Sequence, residues 1–140
     1  MNLQAPLSLF AIFLSLAAAQ AHAQMVIIAS PELKIDSISK NDVRDIFTGA
    51  TADLRSGAHV KPVLLKKGPA QDEFLSTFIG VNETQFHSDW VGLLFAGKMF
   101  LPPTLDLETE VIDFVAHHPT AIGYIHKSTP HKGVVVLVMK

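Results

Sequence analysis

Short apolar runs, each too short for an ordinary helix, alternate along this chain with segments whose apolar residues recur at helical spacing. That alternation is the strongest constraint on the fold, because strands separated by helices must stack as helix layers on a sheet. The first run, Met25-Val-Ile-Ile-Ala29, is ended by Ser30-Pro31 and reads as a buried strand. Ser39 then has N-cap spacing to Asp42, with Ile38 and Val43 placed as a hydrophobic staple. Val43, Ile46 and Phe47 share one helical face, and Gly49 stops that helix. Residues 60–65 predict a second strand, where Pro62 favours an edge position or the strand's beginning. Pro69 suits a first helical position, Phe74, Leu75, Phe78 and Ile79 give that helix its buried face, and Gly80 ends it. Asn82, with Gln85 three residues on, opens a third helix carrying Phe86, Trp90, Leu93 and Leu94. Asp106 can cap a fourth, whose apolar residues are Leu107, Val111, Phe114 and Val115. Residues 121–125 and 134–138 read as the last strands, the final one antiparallel after a short turn over 128–133. The expected architecture is a three-layer α/β sandwich with some parallel pairing, because helical crossovers join parallel strands.

The first 31 residues contain no Asp, Glu, Lys or Arg, and residues 7–19 are nearly all apolar. Ala21-His22-Ala23 follows as a small-x-small cleavage site, so residues 1–23 read as a secretory signal peptide and 24–140 as one domain. One departure is the lack of Lys or Arg before the apolar run. This reading implies a periplasmic or secreted protein with no membrane span after cleavage. There is no cysteine, which excludes disulfides, thiolate metal sites, a Cys nucleophile and a lipoprotein anchor. A net charge of −2 gives no support for nucleic-acid binding, which needs a basic face. A small anion remains compatible, since local donors and dipoles decide its binding.

The best candidate for chemistry is the strand-to-helix junction Lys66-Lys-Gly-Pro-Ala-Gln-Asp72. A helix start offers unpaired N–H groups and a positive dipole end, two lysines precede it, and Gln71 adds a side-chain amide. The plainer reading is a capped surface helix, with Asp72 and Glu73 answering the dipole. Ser30, at the end of the first strand, is a second candidate donor. Ser39 is better explained as an N-cap, and Ser37 is weaker. His117 and His118 point about 100° apart on a helix, so they do not easily share one metal. A site joining either to His126 is geometrically open, but no HExxH motif supports it. No nucleophile turn is visible, and the chain reads as non-enzymatic, without metal or cofactor.

Several phrases recur in a fixed order: Ser39-Lys-Asn-Asp-Val-Arg-Asp-Ile-Phe-Thr-Gly49, Val60-Lys-Pro-Val63, the helix over 71–79, Trp90, Phe95-Ala-Gly-Lys98, Pro102-Pro103, and Ala121-Ile-Gly-Tyr-Ile125. In that order they resemble the solute-binding proteins of phosphate ABC transporters, in particular short single-lobe relatives. The resemblance implies one type 2 periplasmic-binding-protein-like lobe with a mixed sheet. Full-length members close two lobes on phosphate, using N–H and hydroxyl donors at helix N-termini. Their Ser-Gly-Thr donor segment falls on Pro69-Ala70-Gln71, and their arginine falls on Leu65 beside Lys66. The expectation is an exported solute-binding-like protein, binding phosphate or another small anion through Ser30, Lys66, Gly68, Ala70 and Gln71. The alternative is an interaction or signalling module of the cell envelope that binds a protein partner and has lost the anion site.

Overall fold

The structure is a computed structural model that describes residues 24–97 and 101–140. The expected signal peptide and Lys98 lie outside the described residues. In chain order the strands are β1 (Met25–Ala29), β2 (Ser37–Ile38), β3 (Lys61–Pro62), β4 (Leu64–Leu65), β5 (Thr104–Leu105), β6 (Ala121–His126), β7 (Val135–Val136) and β8 (Val138–Met139). The helices are α1 (Lys40–Phe47), α2 (Pro69–Phe74), α3 (Glu83–Phe95) and α4 (Glu108–His117), with one π turn (Leu75–Ile79) continuing α2 and a 3-10 turn at Pro31–Leu33.

The central ladder runs β3-β6-β1-β7. β3 is parallel to β6, whereas β1 is antiparallel to both β6 and β7. Small parallel pairs extend it at each side, β4 with β5 and β2 with β8. The predicted strand over 60–65 is thus used twice: Lys61 and Val63 donate to β6, then Leu64 and Lys66 donate to the β5 side. Pro62, lacking an N–H, falls on the side where pairing to β5 starts only at Leu64. Helices cover both faces of the mixed sheet, as expected for the α/β class. Neighbouring residues of a strand point to opposite faces. A Cβ on Gly123 would meet Val111 and Val115 of α4. The next residue, Tyr124, stacks on Phe74 of α2 and lies edge-on to Phe47 of α1.

Three local expectations change. The turn over 128–133 closes no hairpin: β6 and β7 flank β1 on opposite sides, so residues 127–134 cross the sheet instead. The expected final strand splits into β7 and β8. α4 starts after Leu107, which supplies no side-chain cap, rather than from an Asp106 cap. The other two caps form as read, with Ser39 Oγ accepting from Asp42 N at 3.0 Å and Asn82 Oδ1 from Gln85 N at 2.9 Å.

Two glycines of the quoted phrases are set by packing. Gly49 has φ +78°, and a Cβ there would lie 2.6 Å from Leu93 Cδ1. At Gly123 a Cβ would lie 2.8 Å from Val111 Cγ1, so only glycine lets α4 sit this close to β6. Gly123→Ala is therefore expected to destabilise by about 1–3 kcal/mol through overpacking. Gly92→Ala, on the exposed side of α3 with nothing within 4 Å, should instead stabilise by about 0.5–1 kcal/mol. Urea unfolding of the two variants checks both signs.

Candidate functional site

The polar groups of the junction after β4 are held from below by one side chain. Tyr124 is fully buried, and its hydroxyl accepts from Leu65 N at 2.9 Å. The same hydroxyl donates to Gln71 Oε1. Gln71 is only 2 % exposed, although it stands in the first turn of a helix that begins at the surface. Burial, with the nearby Glu83 charge adding to it, holds the Tyr124 hydroxyl well above the usual tyrosine range, while the Leu65 N–H pulls the other way. It is thus a permanent donor to Gln71.

Above this floor lies a cleft of about 550 Å³. Leu64, Leu65, Phe86, Trp90 and Leu101 give it an apolar wall, and Lys66, Lys67, Gln71 and Glu83 line it with polar groups. Trp90 is fixed there by its indole N–H, which donates to Phe47 O at 3.0 Å. Asp72 N is the first amide of α2 to find a helical acceptor, Gly68 O at 2.9 Å. Ala70 and Gln71 therefore carry its unpaired amides, and Pro69 has none. Lys66 reaches Asp106 only at 4.0 Å, with both side chains exposed. One carboxylate oxygen of Glu83, Oε2, is buried and has no hydrogen-bond partner among the described residues.

Lys66, Gly68, Ala70 and Gln71 are thus brought to one junction, but Ser30 does not join them. β1 runs antiparallel to β6, so the end of β1 lies at the start of β6, where Ser30 N donates to Ala121 O at 3.1 Å. The lysine junction lies at the other end, roughly 15 Å away at about 3.3 Å per residue. Ser30 is instead a buried cap, its Oγ accepting from Glu32 N at 3.3 Å. The strand reading was right about burial but left the direction of β1 open, and direction decides which edge a strand's last residue occupies. Ser39 caps α1 and Ser37 lies in β2.

His126 sits between two carboxylates from different helices. Its Nδ1 is 3.0 Å from Glu108 Oε2 and its Nε2 is 3.1 Å from Glu73 Oε2. Thr129 Oγ1 also donates to Glu108, at 3.2 Å. This cluster ties the end of α2 and the start of α4 to the end of β6. Sequence reasoning placed His126 as an option for metal and missed it as an ion-pair hub, since neither Glu73 nor Glu108 is near it in sequence. His117 and His118 turn back to the carbonyls of Asp113 and Phe114, each at 2.7 Å. Their rings therefore close the end of α4.

No family model matches this chain, and no curated protein matches it in sequence. Solved structures do match. A Clostridium perfringens protein described as a phosphate ABC transporter substrate-binding protein, with bound phosphate, superposes with a TM-score of 0.63 at 17% identity. The match covers 82% of this chain and 44% of that one. PstS from Borrelia burgdorferi gives 0.61 at 18% identity, covering 83% and 47%. An ABC-type phosphate transport receptor from Vibrio cholerae gives 0.59 at 11% identity, covering 82% and 45%. The chain has their fold and spans less than half their length. At these identities the likeness is one of fold.

The His126 cluster makes stability depend on pH from both sides. Hydrogen bonding to Glu108 raises the His126 pKa above 6.5, against the effect of burial, and Glu73 adds to the rise. Its contribution is complete below about 6.5 and is lost as pH rises through the raised folded value. Burial opposes ionisation of Glu108, but its bonds from His126 and Thr129 outweigh burial and lower its pKa below 4.5. That contribution holds above about 4.5 and is lost as pH falls through the lowered value. The pair thus contributes most between about pH 4.5 and 6.5. His126→Gln should flatten the decline of melting temperature above pH 6.5, as thermal unfolding between pH 4 and 9 would reveal.

Proposed function

We propose that this chain is a non-enzymatic solute-binding module acting outside the cytoplasm. It would bind a small anionic solute, such as phosphate or another acid-bearing molecule, in the cleft above the end of β4. The observation that carries this reading is that Lys66, Lys67 and the buried Gln71 line one cleft, beside the unpaired amides of Ala70 and Gln71. The fold adds support, since two of the matched proteins are described as phosphate ABC transporter components and one holds phosphate. Export rests on the signal-peptide pattern of residues 1–23. Among the described residues, no helix is long and apolar enough to cross a membrane.

A second reading has its own observation. Phe95 is 87 % exposed, and Leu94 and Leu101 are also open to solvent around the end of α3. Exposed apolar groups of this size favour a protein contact, which suits an interaction module of the cell envelope. A Phe95→Ser variant that loses a partner retained by the wild-type protein would support that reading.

Calorimetric titration with inorganic phosphate tests the first. Binding heat is expected at millimolar phosphate or below. Replacing both Lys66 and Lys67 by Ala should weaken binding about five- to thirtyfold, at about 0.5–1 kcal/mol per partly exposed charge. Absence of heat and of any thermal shift at millimolar phosphate and with other small acids would overturn the solute-binding reading.

A further inference from the structure

A carboxamide has two ends of similar size and opposite character, one accepting hydrogen bonds and one donating them. Gln71 lines the cleft beside Lys66 and Lys67, and the end it turns to the cleft sets what it offers a solute. Tyr124 fixes that choice. Its oxygen accepts from Leu65 N at 2.9 Å, and its one proton goes to Gln71 Oε1. With the amide turned over, its NH2 would point at the hydroxyl, and the Tyr124 proton would lose its acceptor. An unmet proton in a buried network is costly. Burial also keeps the hydroxyl protonated, well above the usual tyrosine range.

The free end of the amide is then Nε2. Gln71 is 2 % exposed as a residue, yet Nε2 is not among the sealed side-chain atoms that lack a partner, where Glu83 Oε2 alone stands among the described residues. Nε2 makes no hydrogen bond to the described residues, since the amide's one bond is at Oε1. It therefore opens on the cleft that Gln71 lines. Lys66 and Lys67 are exposed, and a lysine on its flexible stem is a point charge without fixed direction. The buried amide is the directed donor of the set.

We propose that Tyr124 is a positioning residue for solute binding, holding Gln71 with its oxygen inward and its NH2 toward the cleft, where it donates to an oxygen of a bound oxyanion. The proposal rests on the solute-binding reading of this cleft and names the residue that sets its polarity. Tyr124 touches no solute itself and acts through Gln71.

Two single residues make the test direct. Trp90, the one tryptophan, lines the same cleft, and Tyr124 is the one tyrosine. Trp90 fluorescence, with calorimetry beside it, gives the affinity for inorganic phosphate, sulfate and propionate, and the tightest binder is carried forward. Q71L is expected to weaken it about tenfold, as the loss of a hydrogen bond to a charged group. Y124F should weaken it about three- to tenfold, because the amide is then free to turn over. In the double variant Y124F should add less than twofold, since its effect passes through Gln71. Q71L or Y124F binding as tightly as the wild-type protein would overturn the proposal and leave the solute-binding reading standing. So would a Y124F effect of the same size with and without Gln71.

Biosynthetic 3-fluorotyrosine keeps the hydroxyl and decides the case even if Y124F does not fold. Its single fluorine resonance should shift on saturation with ligand in the wild-type protein and stay in place in saturated Q71L. An unmoved resonance in the wild-type protein, or an equal shift in Q71L, would overturn the relay. If none of the three anions binds the wild-type protein, the solute-binding reading falls and the proposal with it.

Discussion

Tyr124 is the point on which sheet, helices and cleft all depend. Its ring is stacked 3.7 Å from that of Phe74, nearly parallel to it, and lies 5.6 Å from Phe47 in an edge-on arrangement. Phe47 and Phe74 touch each other at 5.0 Å. One strand residue thus joins the last residue of α1 to the last residue of α2, and aromatic pairs of this kind add to simple burial. The hydroxyl then does a second task. By accepting from Leu65 and donating to Gln71, it sets where β4 ends and where α2 begins. A buried network of this sort holds a single geometry because each broken link leaves a polar atom unpaired.

The same economy explains why the far end of β6 is tied by charge. His126 follows the buried run of residues 121–125 and is the first residue of that strand to meet solvent. There the end of α2 and the start of α4 converge, and their acidic residues Glu73 and Glu108 would repel one another without a cation between them. His126 supplies it with a ring whose two nitrogens point in different directions. The tyrosine below and the histidine at the edge therefore fix α2 at two separate points, which leaves the cleft beside it with a rigid wall.

Much of the fold was legible because burial and capping leave local marks. Ser39 and Asn82 were found by the spacing of their caps, β1 and β6 by their apolar runs, and α1 by Val43, Ile46 and Phe47. What was not legible depends on direction and distance. The reversal of β1 relative to β6 moved Ser30 to the opposite edge, and no residue near Ser30 records which way the strand runs against its neighbour. β2 and β8, two residues each, are too short for any period to show. Of the candidate site, the segment from Lys66 to Gln71 was readable as a strand-to-helix junction. The contributions of Glu83 and Tyr124 were not, because they come from separate elements and meet the junction only through folding.

These two kinds of residue also separate fold from activity. Phe47 and Ile122 are fully buried, and at Gly49 and Gly123 a single added carbon collides with a neighbour. The polar groups at the mouth face no such limit: Lys66 and Lys67 are exposed, and Pro69 changes only which amides are free. A chain can therefore keep this scaffold while the chemistry of its cleft is rewritten. The rewriting has a physical boundary, since anything placed there must respect a Gln71 already claimed by Tyr124. What stays open to change is the balance of charge around that fixed pair, here two lysines outside and one carboxylate within. It is this balance, more than the fold, that sets the electrostatic character of the cleft.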